Sequence, residues 1–99
     1  MEWLGLELQP LTANLRERVG LDRRQRGVYV SDVSARSVFA ERGFQPGVVI
    51  TGIEDAEIRD LDDLKAATAD LETGDLIRVE AVIPGTSGPQ RFFSVIEVP

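Results

Sequence analysis

Trp3-Leu4-Gly5-Leu6-Glu7-Leu8-Gln9-Pro10-Leu11-Thr12-Ala13-Asn14-Leu15 is the stretch against which the rest of the chain is read. Leu4, Leu6 and Leu8 alternate with Gly5, Glu7 and Gln9, and this two-residue period predicts a half-buried strand that Pro10 closes. Thr12 stands where it can cap a brief helix whose Leu15 and Val19 share a face, and Gly20 is placed to end that helix in a left-handed conformation.

Outward from there, Asp22 to Arg26 reads as a solvated loop, and Gly27 to Val33 as a β-branched, aromatic strand. Ser34 to Ser37 opens one or two helical turns that Gly43 ends. Gln45-Pro46-Gly47 is a tight-turn signature, and the apolar run Val48 to Ile53 behind it predicts a buried central strand. Asp60 at a cap position, Asp63 three residues later, and Leu61, Leu64, Ala67, Thr68 and Leu71 at helical spacing predict the longest helix, with Gly74 as its stop. Leu76 to Ile83 and Phe92 to Val98 read as two strands joined by a loop over Pro84 to Pro89. Five strands, one long helix and two short ones give a small α+β domain whose sheet curls around one core.

Composition narrows the chemistry. The 99 residues suffice for one domain, and 42% apolar with 28% charged residues is the balance of a globular protein. Eleven basic against seventeen acidic residues give a net charge of -6, which repels nucleic acid and anionic lipid. No apolar run is long enough to span a membrane, and no basic head or apolar signal core stands at the N-terminus, so any export signal is expected to lie outside this sequence. Histidine and cysteine are both absent, which removes Ser-His-Asp and Cys-His catalysis and nearly all zinc sites. The acidic residues Glu54, Asp55, Glu57, Asp60, Asp62 and Asp63 lack the alternating spacing and central glycine of a calcium loop and read as solvated surface. Ser31, Ser34, Ser37, Ser87 and Ser94 read as caps and turns. No catalytic residue, metal site or cofactor is expected.

Trp3-Leu4-Gly5-Leu6 resembles the aromatic-apolar-Gly-apolar loop of PDZ domains, placed ahead of the first strand as in the permuted bacterial type. Leu4 to Leu15 with Val19-Gly20-Leu21 is similar to the opening of the second, C-terminal PDZ domain of Do-like periplasmic serine proteases (the HtrA/Deg family), and Gly27 to Val30, Ser37 to Gly43, Gln45 to Ile50, Asp60 to Leu71 and Gly74-Asp75 fall in family order. Val48 stands where the family usually has Asp, Glu54-Asp55-Ala56 replaces its Asn-Gly turn, and no basic residue precedes Trp3. The resemblance implies one PDZ domain over residues 1–99, excised from a longer serine endopeptidase of the periplasm or cell envelope. It implies a partly open barrel or sandwich of five to six strands capped by one long and one or two short helices.

Within that resemblance the residues acquire roles. Glycine tolerates the turn and carries no side chain, so backbone N–H groups of the loop Trp3, Leu4, Gly5 and Leu6 can gather on a carboxylate. The main chain of Leu6, Glu7 and Leu8 would pair with an extended peptide as an added strand. Leu4 and Leu6 on one wall, with Leu64, Ala67, Thr68 and Leu71 of the helix on the other, would take a terminal Val, Leu, Ile or Phe. Glu7, Asp62, Asp63 and Asp70 would disfavour acidic residues just upstream. The expected partners are C-terminal or extended hydrophobic segments of substrate proteins. The alternatives are an assembly role between neighbouring subunits of the parent protease, or service in another bacterial protease or secretion protein.

Overall fold

Val49 to Ile53 is the strand on which the sheet is built, because it is buried on both faces: Val49, Ile50 and Ile53 have at most 1% of their surface exposed. The computed structural model describes residues 1–85 and 87–99. In chain order it contains β1 (Glu2–Trp3), β2 (Leu6–Pro10), α1 (Ala13–Val19), β3 (Val28–Val33), a 3-10 turn (Ala40–Arg42), β4 (Val49–Ile53), β5 (Ala56–Glu57), α2 (Leu61–Thr68), β6 (Leu76–Ile83) and β7 (Gln90–Glu97). The strands form one antiparallel sheet in the order β1-β2-β3-β4-β6-β7, with β5 folded back on β4. The fold is the α+β architecture expected, as an open sheet whose seven strands include two of only two residues each, β1 and β5.

The two faces of the sheet carry separate apolar clusters. On the larger, Leu6, Leu8, Val30, Ile50, Val79 and Ile96 meet Phe39, Phe44 and Leu64, each 3% exposed or less. On the other, α1 lays Leu15 over Leu11, Leu21, Val49 and Val82. The seven residues of α1 are too few to be stable alone, so its ends matter. The Thr12 hydroxyl accepts from the Leu15 N–H at 3.2 Å, and Gly20 closes the helix at φ 77°. The turn before β4 is also as read: Gly47 has φ 103° and the Val48 N–H donates to the Gln45 carbonyl at 3.2 Å.

Four readings are corrected. The helix expected from Ser34 to Gly43 shrinks to the 3-10 turn, because the Ser37 hydroxyl accepts from the Phe39 N–H and donates elsewhere in the fold. The helix expected to run from Asp60 through Leu71 stops at Thr68, so Leu71 lies beyond it. Thr68 turns its hydroxyl back onto the Leu64 carbonyl at 2.8 Å, and the Leu71 N–H donates to the Thr68 carbonyl in a tighter turn. Ser31 sits inside β3, and Ser94 inside β7 opposite Val79, rather than in caps or turns. β7 begins at Gln90, ahead of the expected Phe92, and pairs with all eight residues of β6. Thr86, in the expected Pro84 to Pro89 loop, lies outside the described residues.

At the start of α2, the Asp60 carboxylate accepts from the Asp63 N–H at 2.8 Å, while Asp63 accepts from both the Arg59 side chain (2.9 Å) and its backbone N–H (3.0 Å). The side-chain bond from Arg59, then the backbone bond, hold the Asp63 pKa below its ordinary value. A lowered carboxylate pKa contributes stability that is present at neutral pH and lost as pH falls through the folded-state value. Asp63→Asn is therefore expected to lower the thermal midpoint at neutral pH and to lose that difference in acid. Asp60→Ala removes the cap and is expected to cost about 1 kcal/mol at neutral pH. Thermal unfolding followed by circular dichroism at the two pH values checks both; a deficit for Asp63→Asn that persists in acid contradicts the ion-pair account.

Candidate functional site

The loop Trp3 to Leu6 folds as a two-residue hairpin turn: Trp3 pairs with Leu6, and Leu4 and Gly5 between them have φ 50° and 87°. Two successive positive φ values are what a hairpin matching the twist of its strands requires. Gly5 is needed twice over, because a Cβ at this position would come within 2.6 Å of the Ser37 Cβ. Leu4, being non-glycine, carries strain that its surroundings must hold. They do so through two bonds: the Ser37 hydroxyl donates to the Leu4 carbonyl at 2.7 Å, and the Ser34 N–H donates to the Gly5 carbonyl at 2.8 Å.

The walls expected beside this loop come together. Leu6, Leu8 and Leu64 belong to one cluster, with Leu4, Ala67 and Leu71 packed at its margin. They meet closely: Leu6 and Leu64 have no exposed surface and Leu8 has 1%. Thr68 is half-buried with its hydroxyl spent inside α2, and Leu71 reaches the cluster from the turn after the helix. Glu7 is exposed on β2, where Ser31 bonds its carbonyl beside the bulge that shifts the register between Glu7 and Leu8.

The outer edge of β2, the side away from β3, is paired with the residues that precede the loop. Leu8 donates to the Met1 carbonyl at 2.6 Å and accepts from the Met1 nitrogen at 2.9 Å, and Glu2 lies opposite Glu7. The Gly5 N–H, the loop amide nearest the turn's apex, donates to the Glu2 Oε1 at 2.9 Å. Trp3 is buried, 5.4 Å from Phe39 between ring centroids, and Phe39, Phe44 and Phe92 continue the stack at 4.6 Å and 5.2 Å. Burying a side chain of this kind is worth about 1.5–3 kcal/mol.

Three contributors escaped the sequence reading. Ser37 was legible only as a cap, because its partner Leu4 is distant in the chain and no local pattern links the two. Ser34 contributes through its backbone, which no side-chain pattern can reveal. Glu2 contributes its carboxylate, which accepts from the Gly5 N–H. A signal for it did exist, since an acid three residues before the loop glycine is within reach of that glycine's amide.

With this geometry in view, comparison with known proteins gives a consistent answer. A family model described as PDZ domain matches residues 3–82. A protein of Bartonella henselae named "probable periplasmic serine endoprotease DegP-like" is 28% identical over 75 residues, and one of the same name from Rhizobium meliloti is 31% identical over 77 residues. The chain spans only 14% and 15% of the lengths of these two relatives. Among solved structures, the HtrA-type protease AlgW with a decapeptide superimposes with a TM-score of 0.69 at 28% identity, covering 98% of this chain and 29% of that one. The HtrA3 PDZ domain bound to a phage-derived ligand also gives 0.69, at 19% identity and covering 98% of this chain and 84% of that one, a likeness of fold.

The loop geometry makes a sharp stability prediction. Gly5→Ala meets both an unfavourable φ and the Ser37 Cβ, and is expected to cost about 1–3 kcal/mol. Ser37→Ala leaves the Leu4 carbonyl and Phe39 N–H without their partner and is expected to cost about 1–3 kcal/mol. Urea unfolding of both variants checks this; wild-type midpoints would show that the turn is not held from Ser37.

Proposed function

This chain belongs to the PDZ domain family, and from that membership we propose that it is a non-catalytic module capturing C-terminal or extended hydrophobic segments of other proteins by strand addition. The observation that carries the reading is the Trp3-to-Leu6 turn leading directly into β2, with the apolar cluster of Leu6, Leu8 and Leu64 beside it. AlgW, at 28% identity, is a relative whose structure holds a decapeptide, and this supports a peptide as the ligand class.

The loop supplies backbone N–H groups around Gly5 for the ligand's carboxylate, Leu6 to Leu8 supply main-chain pairing, and Leu4, Leu6, Leu64, Ala67 and Leu71 supply the apolar wall for the terminal side chain. The whole protein is a serine endopeptidase of the periplasm in which this domain, one PDZ unit among others, presents substrate to a catalytic domain elsewhere in the chain. The names and lengths of the DegP-like relatives support that setting.

A second reading is an assembly contact between neighbouring subunits. The closed packing of Leu6, Leu8 and Leu64 favours it, since a slot without exposed surface offers an incoming side chain no space until it opens.

Capture of a chain end depends on the free carboxylate. A heptapeptide ending in Val is expected to bind as the free acid with a Kd of about 1–100 μM, close to -8 kcal/mol at the micromolar end, and its amidated form much more weakly. Isothermal titration of both forms checks this. Equal binding removes carboxylate capture, and no binding by either, with subunit mass depending on the presence of this domain, favours assembly.

A further inference from the structure

We propose that the segment Met1-Glu2-Trp3 is a built-in occupant of the peptide site, so that a ligand binds only when β1 is displaced. The inference rests on the peptide-binding reading above and says how that site is regulated.

Three separate contacts place β1 where a ligand would act. The first is the strand edge. Leu8 uses both its N–H and its carbonyl on Met1. A backbone edge has one row of such groups, so a peptide adding to β2 must take those same atoms. The direction also matches: β1 runs antiparallel to β2 and ends at the turn, as a peptide does whose last residue reaches the loop.

The second contact is electrostatic. The Gly5 amide donates to the Glu2 carboxylate at 2.9 Å, so the loop already holds a negative charge of the kind a chain terminus would bring. Two carboxylates cannot share that amide without repulsion, and the ligand must expel Glu2. Thirdly, Trp3 lies directly opposite Leu6, which puts its ring on the same face of the sheet as Leu6, within the cluster that also contains Leu8 and Leu64. An aromatic side chain thus stands beside the apolar wall expected to receive a ligand's terminal residue.

The arrangement is a competition within one molecule, and its strength sets the apparent affinity. A site competent in only a fraction of molecules binds more weakly by that fraction. Weakening β1 therefore tightens peptide binding, whereas loss of a simple structural strand would weaken it or leave it unchanged.

A cysteine pair tests this in a chain that has no cysteine of its own. Glu2 and Glu7 lie between the Trp3–Leu6 pair and the doubly bonded Met1–Leu8 pair, which makes them a non-hydrogen-bonded pair. Such pairs have Cα atoms about 4.5 Å apart, within disulfide reach. In the chain carrying Glu2→Cys and Glu7→Cys, the free-acid peptide ending in Val is expected not to bind when the pair is oxidised and to bind after reduction. Glu2→Gln in the otherwise unchanged chain is expected to bind it about tenfold more tightly than wild type. Hydrogen exchange at the Gly5 and Leu8 amides is expected to be faster in Glu2→Gln than in wild type.

Equal peptide affinity in the wild type, Glu2→Gln and both redox forms overturns the occupancy and leaves the peptide reading standing. No binding by any form, with exchange at Gly5 and Leu8 nonetheless faster in Glu2→Gln, overturns the peptide reading and with it a regulatory role for β1.

Discussion

Gly5 lies so close to Ser37 that no side chain fits between them, and the geometry of the candidate site depends on that approach. The Ser37 hydroxyl ties the Leu4 carbonyl, the Ser34 amide ties the Gly5 carbonyl, and the turn is thereby fixed to a segment more than two dozen residues further along the chain. With the turn fixed, β1 is returned along β2 and Trp3 is delivered to the aromatic stack of Phe39, Phe44 and Phe92. A chain that closes tightly at one point constrains what can lie on both sides of it.

The candidate site uses backbone amides and leucine side chains, which need neither a perturbed ionisation nor a metal. Charge enters mainly at the margins, in the Arg59–Asp63 pair beside the α2 cap and in Glu2 at the turn.

Much of the fold was legible because its signals are local. The Thr12 cap with its Gly20 stop, the Pro46-Gly47 turn and the apolar run behind it each depend on neighbours in sequence and are found in the structure, whereas the strand read from Leu4 to Leu8 begins only at Leu6 and runs to Pro10, because Leu4 and Gly5 turn the chain. The end of α2 was not legible, because the hydroxyl of Thr68 competes for a helical carbonyl, and Thr68 counted in the sequence reading only as one more position at helical spacing. Leu71 illustrates the point: it reaches the cluster it was expected to reach, from a turn instead of from the helix. Within the site, the residues that form the loop were readable. Ser37, which holds it, acts through the folded chain, whereas Glu2 acts from only three residues before Gly5.

β4 shows a further property of the architecture. Val49 faces the α1 cluster while Ile50 and Ile53 face the larger one, so both sides of this strand are greasy. A slide that put Val48 in the place of Val49 and Val49 in that of Ile50 would exchange apolar for apolar in this half of the strand, where hydrophobic patterning alone penalises the error only weakly. Correct alignment has to come from the punctuation around it: the Gly47 turn at the start, and Gly52, where a methyl group would sit 3.3 Å from the Glu80 Cβ at the irregular step in the pairing with β6. The alignment of the central strand thus depends in part on two glycines that bury no hydrocarbon of their own, together with the Thr51 hydroxyl bonded to Glu80 across the β4–β6 pairing.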